Sequence, residues 1–429
     1  MFVTGRLLAL VLCGAVPVLL RPEGSTVWAW LALCVLLTVA DVLAAGRPDA
    51  LELRRTPTPQ VRLGEGATTT VLVHNAGRRY RGRMRDAWQP SAGARGVRHE
   101  LDVPAGETRA VSTELLPTRR GDRLADRVTL RRVGPLGLAG RQRSVPVPGH
   151  VRALPPFHSR KHLPSRMARL RQLDGRSAVR IRGQGTEFDS LRDYVDGDDV
   201  RSIDWRATAR RRSTVVRTWQ PEKDRHIILV LDTSRTSAGR VDDVPRLDAA
   251  MDAALLLAAL ASRAGDRVDL IAGDRRIHRK VVGASRTELL SELVTAMAPL
   301  EPALLEADWR MLAAEVSRVS RQRGLVVLLT PLEPSAVEES LLAPVAVLAG
   351  KHRVVLASVS DPALGRMLAD RSDVREVYDA AAAARTVALR ERTAAALGRL
   401  GVEVLDADPE HLPVVLADHY LMLKSRGLL

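Results

Sequence analysis

Two almost unbroken apolar runs open the chain, Leu7 to Leu20 and Val27 to Ala45. The second is nineteen residues long, about 28 Å as a helix and close to the ~30 Å hydrocarbon layer of a bilayer. Trp28 and Trp30 stand at one end of it, where an interfacial belt would lie. The first run reaches spanning length only if the preceding residues contribute and Arg6 snorkels. The pattern predicts a transmembrane helical hairpin within residues 1–48, with helices at about 5–21 and 26–45. A cleaved leader fits less well, because no small-x-small site precedes the second run. The loop Arg21–Ser25 is short, so both helix ends lie on one side. Arg6, Arg47, Arg54 and Arg55 mark that side as cytoplasmic, against Arg21 opposed by Glu23 in the loop. The expectation is a two-pass protein of the plasma membrane with its bulk in the cytoplasm. Asp41, inside the second run, receives no role.

Beyond residue 50 the period changes. Residues 50–152 alternate in short runs such as TTTVLVHN and DRVTLRRV, punctuated by Gly, Pro and Asn, which predicts a small antiparallel β-sandwich. Residues 153–182 form a basic connector, expected to be a solvated helix and loop, with the anionic inner leaflet as the alternative contact. Residues 183–222 are densely charged. From residue 223 to 429 continuous apolar strands such as HIILVLD and LVVLLT alternate with amphipathic helices, the pattern of a doubly wound parallel α/β sheet. Ligands of such sheets bind beyond the strand C-termini at the topological switch point, where the stretch DTSRTS falls.

Composition adds limits. Across 429 residues 46% are apolar and only 3% aromatic, so the core is aliphatic. The net charge of +15 is carried almost wholly by arginine. It comes without the arginine-plus-aromatic interleaving of nucleic-acid binders, so no specific nucleic acid is expected. Cys13 and Cys34 both lie in the apolar runs, which excludes a disulfide or a thiolate site from the rest of the chain.

The densest chemistry is Leu191 to Arg212, with five aspartates, six arginines and one tryptophan, Trp205. An EF-hand needs acids at alternate positions before its glycine, but Arg192 and Tyr194 stand there. The neighbouring arginines keep the carboxylates ionised, and no nucleophile or histidine accompanies them, so acid/base catalysis is not indicated. His226 opens a buried strand and reads as structural. What remains is an ion-pair network, either presented to a partner or acting as an internal brace. Its members are Glu187, Arg192, Asp193, Tyr194, Asp198, Asp199, Arg201, Asp204, Trp205 and Arg210. The expected arrangement is an ordered loop packed on the α/β domain, with Trp205 as apolar anchor.

These motifs carry a resemblance. Glu187-Phe188, Arg192-Asp193-Tyr194, Gly197-Asp198-Asp199, Arg201-Ser202-Ile203-Asp204-Trp205 and Ala209-Arg210 resemble the pattern of the bacterial family called domain of unknown function 58. LDTSRTS after a buried strand resembles the first metal loop of a von Willebrand factor A-like domain. The resemblance implies a divalent ion, Mg2+ or Mn2+, held by Asp232, Ser234 and Thr236, with a Thr from a second loop and an Asp from a third. Ala307 and Pro331 stand at those two positions, so the site reads as degenerate, with weak Mg2+ or Mn2+ binding or no cofactor at all. Asp232 then serves as a cap for the following turn.

Members of this family accompany MoxR-type AAA+ ATPases. The expected function is therefore a membrane-anchored, non-enzymatic interaction module serving such an ATPase in assembling or remodelling envelope-associated proteins. No Gly-x-Ser-x-Gly, Walker loop or His-Glu-x-x-His occurs. The alternatives are an enzyme of unrecognised hydrolase type, or a protein that binds anionic surfaces, nucleic acid or lipid.

Overall fold

The computed structural model describes residues 1–46, 50–180, 187–210, 213–220 and 225–429. They form two compact units, Met1–Leu154 and Pro155–Leu429.

The first unit begins with a short strand, β1 (Phe2–Val3), then α1 (Gly5–Cys13), α2 (Ala15–Leu20) and α3 (Gly24–Ala44). Among the described residues α3 is the one helix long and apolar enough to cross a membrane, while Gly5–Leu20 is apolar but shorter. Trp28 is exposed, but Trp30 turns inward and donates its indole N–H to the Leu10 carbonyl at 3.3 Å. Gly14 permits that approach, since a Cβ there would fall 2.4 Å from the indole. Trp30 therefore packs helix on helix and does not sit in an outward belt.

Eight further strands build the β module: β2 (Leu51–Arg55), β3 (Val61–Arg62), β4 (Ala67–Asn75), β5 (Tyr80–Trp88), β6 (Arg98–Val103), β7 (Thr108–Leu115), β8 (Gly121–Val133) and β9 (Ala139–Leu154). One sheet runs β1-β9-β8-β5-β6 with β3 beside β9; the other runs β2-β4-β7. Alternation places Val71 and Val73 of one sheet against Met84, Val128 and Leu130 of the other, the inner faces of a sandwich. Between the sheets Arg55 reaches Asp86 through two guanidinium bonds, 3.0 and 2.6 Å, with both side chains buried. The module takes in Phe2–Val3, which hydropathy alone assigns to the apolar segment, because Phe2 pairs with Gly140 on β9.

The second unit opens with a 3₁₀ turn (His158–His162) and α4 (Leu163–Arg180). The expectation of a solvated connector is corrected here, for the segment is docked. Ser159 gives its N–H and its hydroxyl (2.8 Å) to the buried Asp252 carboxylate, Leu170 is buried, and Arg166 bonds Asp418 at 3.0 Å. Next comes a two-stranded antiparallel hairpin, β10 (Glu187–Asp193) and β11 (Val215–Gln220), with a one-turn helix α5 (Trp205–Thr208) between the strands.

The remaining elements are β12 (His226–Asp232), a minor pair β13 (Arg240–Val241) and β14 (Val244–Pro245), α6 (Arg246–Arg263), β15 (Arg267–Gly273), β16 (Ile277–Val281), α7 (Leu289–Met297) and α8 (Trp309–Val319). They continue with β17 (Leu325–Leu329), α9 (Pro334–Ala336), α10 (Leu342–Ala349), β18 (Arg353–Val359), α11 (Pro362–Ala369), α12 (Val374–Arg399), β19 (Val402–Ala407) and α13 (Leu412–Ser425). The sheet order is β16-β15-β12-β17-β18-β19, parallel except for β16. Ile227 to Leu231 are fully buried, as a central strand covered on both faces requires. Ile228 and Val230 pack with Trp309, Leu312 and Val316 of α8, Val345 of α10 and Leu397 of α12. Against the sheet α6 packs together with α7 and α13.

Candidate functional site

Strand β12 lies between β15 and β17, so the chain turns in opposite directions from its C-terminal end. That is the switch point of the sheet, and Asp232 is the last residue of the strand. The carboxylate is buried and fully engaged. Oδ1 accepts the Ser234 N–H at 2.8 Å, and Oδ2 accepts the hydroxyls of Thr236 (2.9 Å) and Thr330 (2.7 Å). Ser234 and Thr236 share a further hydroxyl bond at 3.1 Å. The three loops do converge. Ser234, Thr236, Ala307, Thr330 and Pro331 line one narrow cleft, closed off by Trp309 and Leu341. The donor set is one carboxylate and three hydroxyls; those of Thr236 and Thr330 donate to the carboxylate, and that of Ser234 meets Thr236. The flanking loops present a methyl group and a pyrrolidine ring. Such a set does not fit a hard divalent ion, which prefers several charged or carbonyl oxygens. It does fit a loop brace.

Thr330 escaped the sequence reading, although it ends a buried strand one residue before Pro331, where a side chain at the sheet edge reaches β12. A second pair was also missed. Asp274, just after β15, receives His278 Nε2 at 2.7 Å and the Thr233 hydroxyl at 3.3 Å. Burial works to raise the Asp274 pKa, but the His278 contact and backbone N–H groups outweigh it and hold the carboxyl below its usual range. Thr233 donates to Asp274 and not to the imidazole, so the hydroxyl is not activated as a nucleophile. His226 bonds Asp269 at 2.7 Å at the start of β12, the opposite end of that strand from Asp232.

The charged segment is built as a hairpin with two kinds of charge. The first kind is inward and paired. Arg192 Nη2 bonds Asp198 Oδ1 at 2.6 Å, while Asp198 Oδ2 accepts the Val195 N–H at 3.0 Å. Asp204 caps α5 by accepting the N–H groups of Arg206 and Ala207 at 3.0 Å, and its other oxygen takes Arg217 Nε at 2.8 Å. Those backbone bonds, then Arg217, hold Asp204 below the usual carboxylate range. Asp193 accepts the Ser213 hydroxyl at 2.8 Å, and the half-buried Tyr194 pins its N–H to the Thr214 carbonyl at 2.8 Å.

The second kind of charge is outward. Asp199 caps a 3₁₀ turn through the Arg201 N–H at 3.0 Å. Among the described residues, however, no carboxylate meets the guanidinium of Arg201, Arg206 or the exposed Arg210. Glu187 opens β10 opposite Gln220; its side chain lies outside the described residues, as do positions 183–186, 211–212 and 221–222 of the segment.

The expectation for Trp205 is overturned. Its side chain is 67% exposed, and Val195 (61%) and Val200 (60%) are exposed with it. Trp205 is the first helical residue after the Asp204 cap, which directs it outward, while Val215 and Val216 of β11 are buried. The paired charges thus hold the hairpin together and leave an apolar surface of Val195, Val200 and Trp205 among exposed charges of both signs.

Residues 190–396 match the model of a family described as "Protein of unknown function DUF58". Over these residues, just under half of the chain, it is similar to that family. An uncharacterized protein of Mycobacterium tuberculosis and another of Mycobacterium bovis are each 30% identical to it over 185 residues. That stretch is 42% of this chain, and the chain spans 57% of the length of those relatives. Among solved structures, the conserved hypothetical protein BatB from Bacteroides thetaiotaomicron aligns at 12% identity with a TM-score of 0.31, over 47% of this chain and 98% of its own. A PapD-like domain of human CEP192 aligns at 14% identity with a TM-score of 0.20, over 25% of this chain and 90% of its own. Both scores lie below the level at which a shared fold follows. The DUF58 match begins inside β10 and ends within α12, so it takes in the hairpin together with most of the sheet.

Proposed function

We propose that this chain is a DUF58-type, membrane-anchored, non-enzymatic docking module, and that it serves a MoxR-type AAA+ ATPase as its partner in assembling or remodelling envelope-associated proteins. In this reading the apolar N-terminal helices cross the plasma membrane twice and leave both units in the cytoplasm. The α/β unit is a von Willebrand factor A-like domain whose ion site has become a hydroxyl brace, so that it works without Mg2+ or Mn2+. The hairpin beside it is the grip.

The observation that carries the proposal is the exposure of Trp205 beside arginines that meet no carboxylate among the described residues, on a hairpin held by the Arg192–Asp198 and Arg217–Asp204 pairs. An exposed tryptophan flanked by arginine is the composition of a binding hot spot, where such a residue is worth about 2 kcal/mol or more. Enzymatic readings are disfavoured because the threonine hydroxyls at the switch point donate to buried carboxylates, that of Ser234 meets only Thr236, and among the described residues none of them meets an imidazole or an amine.

The test is affinity capture from detergent-solubilised membranes. The ATPase is expected to co-purify with the wild-type chain, and Trp205→Ala is expected to weaken capture by roughly thirtyfold, the equivalent of that hot-spot energy. Arg201→Ala weakens it less. Undiminished capture by a folded Trp205→Ala protein excludes the hairpin as the docking surface.

A further inference from the structure

A second charged surface lies in the first unit, where β1 runs directly into α1. A cleft of about 790 Å³ opens between the start of that helix and the sandwich sheet, lined among others by Arg6, Arg81, Arg83 and Arg131. Two carboxylates, Glu100 and Asp102, stand on its outer wall. Asp102 is held by Arg79 through two bonds of 2.7 Å and by Arg81 at 3.2 Å, while Glu100 meets Arg83 at 3.6 Å. Arg131 has only a neutral partner, the Gln142 amide oxygen at 2.7 Å, and lies over the Phe2 ring at 5.2 Å. Among the described residues neither Arg6 nor Arg131 meets a carboxylate. The cleft is thus lined by four guanidiniums against two carboxylates, with Arg81 and Arg83 sharing those acids and Arg6 and Arg131 meeting neither.

The cleft is fixed to the apolar helix. The Thr4 hydroxyl donates to the Gly137 carbonyl at 2.5 Å, and Arg6 lies in the first turn of α1. Gly137 has φ +74°, and a Cβ there would fall 2.7 Å from the Arg6 guanidinium, so this turn needs glycine both for its backbone and for its space. The C-terminal end of α3 is tied to the same sheet, where Arg141 Nε donates to the Val42 carbonyl at 3.0 Å. If α3 spans a membrane, its C-terminal end and the start of α1 that share this module stand where a helix leaves hydrocarbon and phospholipid phosphates lie.

We propose that this cleft binds a phosphate-bearing anion, presented as the headgroup of an anionic phospholipid in the leaflet the helices enter. The planar guanidinium matches phosphate oxygens in pairs, and its weaker hydration lowers the cost of leaving water. The bound headgroup ties the sandwich to the membrane surface through Arg6, Arg83 and Arg131. The proposal rests on the membrane reading of α3 and is independent of the hairpin and its partner.

The test uses the full chain reconstituted into nanodiscs of phosphatidylcholine alone or with phosphatidylglycerol, and measures lipid retention by native mass spectrometry. Wild type is expected to retain phosphatidylglycerol preferentially. Each basic residue near an anionic leaflet is worth about fivefold, so Arg6→Gln with Arg83→Gln is expected to lower the preference roughly 25-fold. Arg21→Gln, which removes one charge from the loop between the helices, is expected to lower it by no more than about fivefold. Equal retention of both lipids by wild type, or equal loss in Arg21→Gln, overturns the proposal. Glycerol phosphate is the soluble probe. If it stabilises the detergent-solubilised protein while the discs show no lipid preference, the ligand is a free phosphate and the lipid assignment fails. Failure of the chain to enter discs at all removes the membrane reading and this site with it. Entry without preference removes only the site.

Discussion

Replacing Asp41 gives a direct test of how the apolar helix is joined to the β module. Asp41 lies in the last turn of α3, where a carboxylate faces the negative end of the helix and loses about 0.3–1 kcal/mol. It is nevertheless buried, and its oxygens accept three backbone N–H groups, of Leu136 (2.7 Å), Leu138 (2.8 Å) and Ala139 (2.9 Å). The tight turn between β8 and β9 thus wraps the carboxylate, and a Cβ on Gly134 would fall 2.2 Å from Asp41 Oδ1. Hydrogen bonds to a charged group contribute about 1.5–3 kcal/mol each, and orphaned buried donors cost about 1–3 kcal/mol each. Taking about 1 kcal/mol per donor as the floor, Asp41→Ala is expected to destabilise the turn by roughly 3 kcal/mol. Hydrogen exchange by mass spectrometry on the detergent-solubilised chain reads this locally. Amides 136, 138 and 139 should exchange about a hundredfold faster, while β4 and β7 stay protected. Asp41→Asn, which keeps one acceptor oxygen, should fall between. Unchanged protection of the three amides in Asp41→Ala would refute the reasoning.

Four further outcomes are expected. Asp86→Ala leaves Arg55 charged and buried between the two sheets of the sandwich and strips the Trp88 indole N–H of its 2.9 Å acceptor. Such a loss costs about 3–5 kcal/mol, seen as a lowered thermal midpoint, whereas a change of less than about 1 kcal/mol contradicts the pairing. Asp232→Ala removes the acceptor of two hydroxyls and one N–H, and should lower stability by roughly 2–4 kcal/mol. In wild type, calorimetric titration with Mg2+ or Mn2+ should give no binding heat, and a micromolar site would revive an ion-dependent reading. Burial first, then the charges of His226 and Lys351, lowers the His352 pKa from 6.5. Below pH 6.5 the unfolded chain therefore takes up a proton that the folded chain resists, so stability falls as pH falls through that value towards the depressed one. His352→Leu should flatten this part of the profile between pH 7 and 5, and an unaltered slope would exclude the histidine as its source.

Much of the architecture was legible because it follows from period. The unbroken run Ile227–Leu231 can only be a strand covered on both faces, and alternation in Ala67–Asn75 marks one inner face of a sandwich. The misreadings lie where a single contact at long sequence separation decides. Phe2–Val3 joins the sandwich through Gly140, and the basic connector is docked by Ser159 onto Asp252, ninety-three residues away. Apolar pattern does not encode such pairs. Trp205 failed for a different reason. A tryptophan among charges suggests an anchor, yet the Asp204 cap fixes its direction, and Val215 and Val216 supply the buried surface instead. Ser234, Thr236, Ala307 and Pro331 line one cleft, whereas Thr330 was invisible until β12 and β17 were seen side by side.

The most direct measurement is photo-crosslinking in living cells from a reactive residue placed at position 205. On the present account the adduct contains the MoxR-type ATPase, and it vanishes when the reactive group is moved to the fully buried Val215. A position-205 probe that crosslinks only to lipid or to nothing, in a chain that still folds and reaches the membrane, would contradict a docking role for the hairpin.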